Sequence, residues 1–213
     1  MSSTHSSHPS SNDTGRYAVV RKLVAERAGR EWCLFLDRDG VINRRIEGGY
    51  VRGWGGFEWL PQVPLALKML REWAPRLVVV TNQQGIGKGL MSAEDVESIH
   101  HHVRVELATK AVSIDAIQVC PHLESAGCAC RKPRTGLIIG WLHDHPDIDP
   151  SLSVMVGDSQ SDLELAKRVS VEVGGCASVQ IGERDMHGVI ADASFDSLSD
   201  FAIAVERARH EQG

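Results

Sequence analysis

The sequence predicts an α/β fold, a doubly wound parallel sheet, and three observations carry that expectation. Short apolar runs at residues 33–36, 77–80 and 152–156 recur along the chain, helix-like stretches alternate with them, and the runs are continuous rather than alternating apolar with polar. A strand covered on both faces reads as such a run, and alternation with helices places it in a parallel sheet. With 213 residues, 42% of them hydrophobic, the chain is long enough for one domain of this kind with its own core.

Taken in order, residues 1–15 (MSSTHSSHPSSNDTG) have nothing to bury and read as a disordered extension, leaving 16–213 as the domain. Residues 16–30 mix aliphatic and basic positions without a clean period and suit a short helix laid against the domain. Cys33-Leu34-Phe35-Leu36 is the first strand, 63–73 is helix-like, and Leu77-Val78-Val79-Val80 is the second strand. Ser92 with Asp95 three residues on forms an approximate capping box that opens a helix over 92–110. Beyond it, 114–119 is strand-like, 137–143 helix-like, 152–156 strand-like and 162–169 helix-like. Residues 171–181 offer a fifth strand, and 195–209 a closing helix.

The net charge of −5 provides no basic field for nucleic acid, so phosphate recognition has to be local. No apolar run approaches the ~18 residues needed to span a bilayer, and the N-terminus lacks the basic-then-apolar order of a signal peptide. A cytoplasmic protein is expected, with no membrane partner.

In an open parallel sheet, ligands bind beyond the carboxyl ends of the strands. After the first strand comes Asp37-Arg38-Asp39-Gly40-Val41-Ile42-Asn43, two carboxylates where the chain leaves the sheet. After the second comes Thr81-Asn82, a hydroxyl and an amide suited to an anion. Arg131-Lys132-Pro133 follows the third, and Gly157-Asp158-Ser159, with Asp162 one turn on, follows the fourth. An Asp after a strand is usually a cap or turn residue, so each piece is weak by itself.

Their joint order, DxDG, TN, a Lys before Pro and GDxxxD, resembles the four motifs of the haloacid dehalogenase superfamily over residues 32–170. The resemblance implies a Rossmann-like phosphatase in which Asp37 attacks phosphorus and becomes an aspartyl-phosphate. It also implies that Asp39 protonates the leaving alcohol and then activates water, a task that calls for a pKa above the ordinary value of about 3.9. Phosphoryl chemistry demands cations in any case. Magnesium, an oxygen-seeking ion, suits Asp37, Asp158 and the main-chain carbonyl of Asp39; Lys132 adds a second positive charge; Thr81 and Asn82 fix the remaining phosphoryl oxygens. Asp162 either orients Lys132, supports the metal shell, or is a first-turn helix acid favoured by the dipole.

Three of the five cysteines and one of the ten histidines gather in residues 120–130, as Cys120, His122, Cys128 and Cys130. Three thiolates and an imidazole fill a tetrahedral zinc shell with no open position, which makes the zinc structural. Cys130 abuts Arg131 and Lys132, so closing this loop positions both. The CxH…CxCRKP pattern resembles the heptose 1,7-bisphosphate phosphatases and the related histidinol-phosphate phosphatases, which are nearly capless. Within that resemblance Gly49 and Tyr50 belong to a substrate loop and Arg131 to the substrate contacts. The shorter zinc spacing, the basic Arg44-Arg45 pair and Ser159, where Lys is common, leave sugar and anomer open.

Other features are assigned no chemistry. Gly85-Ile86-Gly87-Lys88-Gly89 lacks the leading Gly and trailing Ser or Thr of a P-loop and reads as a mobile turn beside the site. His100-His101-His102 point in different directions on a helix and read as surface residues. Trp54, Phe57 and Trp59 read as packing ahead of substrate lining. The expected function is magnesium-dependent hydrolysis of a small phosphorylated metabolite, heptose 1,7-bisphosphate first. Histidinol phosphate, a polynucleotide 3′-phosphate, disfavoured by the acidic charge, and a non-catalytic phosphosugar-binding module are the alternatives.

Overall fold

The computed structural model describes residues 11–182 and 188–212. The strands are β1 (Cys33–Leu36), β2 (Arg76–Asn82), β3 (Ala116–Cys120), β4 (Val154–Gly157), β5 (Ala177–Ile181) and β6 (Ala193–Phe195). They form one sheet in the order β3-β2-β1-β4-β5-β6, with every neighbouring pair parallel. The helices are α1 (Ser11–Arg27), α2 (Val63–Trp73), α3 (Ala93–Ala108), α4 (Gly136–Asp144), α5 (Gln160–Val173) and α6 (Leu198–His210).

Side chains of β1 alternate between two cores, as the pleat requires. Leu34 and Leu36 join Leu67 and Leu70 of α2 and Phe201 of α6, while Cys33 and Phe35 join Ile138 of α4 and Leu165 and Val169 of α5. Both faces being dry, β1 has to be apolar throughout, which is why it reads as an unbroken run. The chain winds outward through β1, β2 and β3, then returns to β4 beside β1 and winds the other way. The crevice between β1 and β4 is therefore the switch point at which ligands bind such sheets, and Asp37 N donates across it to Val156 O at 2.9 Å.

Most element boundaries agree with the sequence expectation, and the Ser92/Asp95 capping box has both of its hydrogen bonds. Three differ. Helix α1 starts at Ser11, inside the segment expected to be disordered, and packs Val20, Leu23 and Val24 into the core beside α6; residues 1–10 lie outside the described residues. Residues 171–173 are the last turn of α5 rather than strand: Val171 is 82% exposed on its outer face, and the helix ends only at Gly174, whose φ of 86° admits glycine without strain. Strand β6 was not expected, because three residues are too few to show a period. Its Phe195 belongs to this strand and not to the closing helix expected over 195–209, which begins after Ser197, whose hydroxyl accepts from Asp200 N. No helix among the described residues is long and apolar enough to cross a membrane.

Candidate active site

The turn after β1 brings Asp37, Asp39 and Asp158 together. Gly40 N donates to Asn43 O at 2.7 Å and Gly40 has φ 99°; a Cβ there would stand 1.9 Å from Asp158 Oδ2, so only glycine lets the turn lie against that carboxylate. Asp39 is clamped from three sides. Asn43 Nδ2 donates to its Oδ1 at 2.9 Å, Gln83 Nε2 to its Oδ2 at 2.8 Å, and Arg38 Nη2 reaches both oxygens at 3.1 and 3.0 Å. Burial by itself raises Asp39, but the Arg38 charge and these hydrogen bonds outweigh it and hold the carboxyl below its ordinary value. That corrects the expectation of a raised pKa: without substrate Asp39 is a firmly ionised carboxylate.

Lys132 is 5% exposed at the centre of the site. Its Nζ lies 2.6 Å from Asp37 Oδ1 and 2.7 Å from Asp162 Oδ1. Burial works against its charge, but Asp162 and Asp37 prevail and raise it above the ordinary lysine value. Two of the three roles left open for Asp162 coincide: as the third residue of α5 its Oδ2 accepts from Ser159 N and Oγ in a capping box, while Oδ1 pairs with Lys132. Asn82 lines the cleft, but its amide is engaged with Lys132: Lys132 N donates to Asn82 Oδ1 at 3.0 Å, and Asn82 Nδ2 to Lys132 O at 3.2 Å. This residue ties the Lys132 loop to the end of β2. Thr81 Oγ1 accepts from Gln83 Nε2 at 2.7 Å, which leaves its own proton as a donor.

Oxygens of Asp37, Asp158 and Asp162 lie within 4.8 Å of one another. Burial, with the added charges of Asp162 and Asp158, pushes Asp37 up to about 7 against the pull of Lys132. Burial and Asp162 push Asp158 up to about 6 against Arg45 and Lys132. Crowded carboxylates of this kind hold their charge only when a cation stands among them. Besides Lys132, Arg45 does so: its Nη2 is 2.6 Å from Asp158 Oδ1 and donates to Asp39 O at 3.2 Å. Two of the three donors expected for magnesium thus converge on a positive charge, and the all-oxygen set fits a hard divalent ion.

The Cys and His side chains of residues 120–130 also converge. Cys120 Sγ is 3.7 Å from Cys128 Sγ and 3.3 Å from Cys130 Sγ, Cys128 and Cys130 are 3.4 Å apart, and His122 Nδ1 is 3.1 Å from Cys130 Sγ. These separations are too long for a disulfide and close to the ~3.8 Å edge of a tetrahedron with 2.3 Å metal–sulfur bonds. Gly136 N donates to Ala129 O and Arg134 Nη1 to Cys128 O, so the loop carries the start of α4 and the strap bearing Arg131 and Lys132.

The cleft over these groups has a volume of about 530 Å³, and Tyr50, Gly49, Lys88, Arg131 and Ser159 stand on its walls. Arg131 Nη1 is buried with no hydrogen-bond partner among the described residues. The Gly85–Gly89 turn is docked rather than free, with Gly87 N donating to Pro121 O at 3.0 Å and Lys88 Nζ 5.3 Å from the Tyr50 ring centre. Trp54, Phe57 and Trp59 pack on one another and on His102, outside the cleft.

Sequence reasoning missed Arg38, Arg45, Gln83 and His100. For His100 the signal was present: the buried positions of α3 are Val96, Ile99, His100, Val103 and Leu107, an apolar stripe at helical spacing on which His100 falls. His100 is 1% exposed, which corrects the expectation of three surface histidines. Arg45 stands out locally only as half of the basic Arg44-Arg45 pair, and its partner Asp158 is remote in sequence.

Comparison with known proteins agrees with this geometry. A family profile described as polynucleotide kinase 3 phosphatase matches residues 36–182. A D-glycero-alpha-D-manno-heptose-1,7-bisphosphate 7-phosphatase from Mycobacterium bovis is 63% identical over 191 residues, 90% of this chain and 100% of that protein. The D-glycero-beta-D-manno-heptose-1,7-bisphosphate 7-phosphatase of Escherichia coli is 34% identical over 184 residues, 82% of this chain and 94% of that one. A crystal structure of D,D-heptose 1,7-bisphosphate phosphatase from B. bronchiseptica, with magnesium and phosphate, superposes with a TM-score of 0.69 at 27% identity, covering 84% of this chain and 99% of that one. Sharing sequence with these phosphatases over nearly their whole length and folding as they do, the chain belongs to the heptose 1,7-bisphosphate phosphatase family of the haloacid dehalogenase superfamily.

Proposed function

We propose that the chain from α1 onward forms one capless, cytoplasmic phosphatase domain that removes the 7-phosphate of D-glycero-α-D-manno-heptose 1,7-bisphosphate through an aspartyl-phosphate on Asp37. The observation that carries the chemistry is the contact of Asp37 with Lys132 Nζ at 2.6 Å on the floor of an open cleft: a carboxylate nucleophile beside the cation that offsets its repulsion from a phosphate dianion. The choice of anomer rests on the 63% identity to relatives named for the α form, against 34% to one named for the β form.

Asp37, Asp158 and the Asp39 carbonyl would hold magnesium, which would supply charge neutralisation at the phosphoryl oxygens. The remaining work belongs to the chain. Lys132 neutralises a phosphoryl oxygen and Thr81 donates to another, while Asn82 holds the Lys132 backbone in place. Asp37 displaces the sugar alkoxide, which takes its proton from Asp39, and Asp39 then receives a proton from the water that cleaves the acyl-phosphate. A phosphate dianion entering the cleft adds the like charge that raises Asp39 from its ligand-free value and makes it a usable acid. Arg131, whose Nη1 has no partner among the described residues, and the Gly49–Tyr50 segment contact the sugar and its other phosphate.

Phosphate release across α- and β-heptose 1,7-bisphosphate, histidinol phosphate and a 3′-phosphorylated oligonucleotide tests the assignment. The α-heptose bisphosphate is expected to be turned over fastest. A faster rate on histidinol phosphate or the oligonucleotide overturns the substrate and keeps the chemistry; absence of turnover on all four overturns both.

We also propose structural zinc at Cys120, His122, Cys128 and Cys130. Metal analysis is expected to find one zinc per chain, and Cys128→Ser to lower Tm and kcat together, because the loop carries Lys132. A purified, active protein without zinc, or a Cys128→Ser variant with unchanged Tm, defeats this assignment.

A further inference from the structure

The acid–base group of the proposed mechanism is held by a chain of buried groups that starts on a helix outside the cleft. Arg38, 2% exposed, presents Nη2 to both Asp39 oxygens and Nη1 to His100 Nε2 at 3.1 Å. His100 does not line the cleft and Asp39 does, so His100 reaches the reacting atoms only through Arg38. Burial, and then the Arg38 charge, push His100 down to about 3, so its ring is neutral at any working pH. A neutral ring facing a guanidinium N–H has to accept at Nε2, which places its own proton on Nδ1.

From this arrangement we infer that His100 is a positioning residue, whose Nε2 fixes the edge of Arg38 that faces Asp39 and thereby the orientation of the Asp39 carboxylate for proton transfer. A guanidinium has five donors in a rigid fork, and a buried one settles wherever acceptors are found. Arg38 Nε already lacks a partner among the described residues. With the His100 acceptor gone, Nη1 joins it, and the favourable response is for the fork to rotate and place a second donor on Asp39. That pulls the carboxylate away from Asn43 Nδ2 and Gln83 Nε2, which hold it from the other sides. Proton transfer requires donor and acceptor within hydrogen-bond reach, so a small rotation of Asp39 slows both half-reactions while leaving sugar and phosphate contacts in place.

The inference rests on the proposed role of Asp39, and the test separates the two. Steady-state kinetics on the heptose bisphosphate, the solvent deuterium isotope effect on kcat, and Tm are measured for His100→Leu, His100→Gln and Asp39→Asn. Leu removes the acceptor. Gln places its side-chain carbonyl near the position of Nε2 and restores it. The expected result is a kcat about 10- to 100-fold lower for His100→Leu with KM within about twofold and a larger isotope effect, as proton transfer comes to limit the rate; His100→Gln stays within about threefold of the parent. Equal losses for Leu and Gln that follow Tm show a packing role only and overturn the inference, as does an unchanged kcat for His100→Leu or a loss confined to KM. If Asp39→Asn keeps the parent kcat, the assignment of Asp39 fails and this inference fails with it, a pattern distinct from failure at His100. Should His100→Leu not fold, His100→Asn replaces it, since its shorter arm leaves the carbonyl out of reach of Arg38.

Discussion

Asp37→Asn is expected to abolish turnover, by on the order of 10⁴-fold or more, while leaving the ligand-free protein as stable as the parent or more so. An amide of the same shape fills the same space but has no anionic oxygen to attack phosphorus. It also weakens the magnesium donor set and leaves Lys132 paired only with Asp162. The stability half of the prediction follows from crowding. Burial and the charges of Asp162 and Asp158 push the Asp37 carboxyl up to about 7, so its ionised form is held against an unfavourable environment. A neutral group there relieves repulsion that the parent tolerates for function. Phosphate release and chemical denaturation on the same preparation check both halves. Residual activity within tenfold of the parent excludes Asp37 as nucleophile, and activity lost together with stability points to misfolding instead.

The second large effect is at Lys132. Lys132→Met leaves Asp37 and Asp162 without the cation that bridges them at 2.6 and 2.7 Å, and Asp162 is wholly buried. Breaking a buried pair by removing one partner costs about 3–5 kcal/mol. The pH dependence has a definite sign. Without Lys132 the folded-state pKa of Asp37 rises further above its unfolded value, so the folded variant binds more protons than the unfolded chain. Its stability is then greatest at acid pH and is lost as pH rises through that folded value, above the value of about 7 that Asp37 has in the parent. Denaturation at about pH 5.5 and about pH 8 is expected to show the deficit relative to the parent growing toward the higher pH. Adding Asp162→Asn to Lys132→Met removes the stranded charge and is expected to restore part of the stability and none of the activity. A deficit independent of pH, or activity regained in the double variant, contradicts the role given to Lys132.

The clamp on Asp39 and the strain around Asp37 share one origin. Four carboxylates, at residues 37, 39, 158 and 162, are drawn to a small volume at the mouth of the sheet, and the chain supplies Arg38, Arg45 and Lys132 to hold them. Arg45 occupies the place where two expected magnesium donors meet, so the ligand-free site is already organised around positive charge.

How much of this was legible in the sequence follows from the range of each interaction. Runs such as Leu77-Val78-Val79-Val80 announce themselves because burial on both faces demands apolar residues at every position, and the site motifs lie where those runs end. Asp37, Asp39, Thr81, Lys132 and Asp158 lie at strand ends by that rule and gather at one cleft, while the Cys/His group, marked by its spacing, gathers in a separate cluster. Local sequence failed where chain ends, short elements or competing propensities decide: Val171 and Val173 suit a strand, yet they complete a helix whose start is capped by Ser159 and Asp162 and whose end is set by Gly174. The Asn82 amide on the Lys132 backbone, the Arg45 contact with Asp158, and His100 behind Arg38 link residues 50, 113 and 62 positions apart. Only the folded sheet decides such pairings, because it brings the loops after separate strands to one edge. There burial raises the cost of every unpaired charge, and the partner that answers it is whichever group the topology has carried within reach.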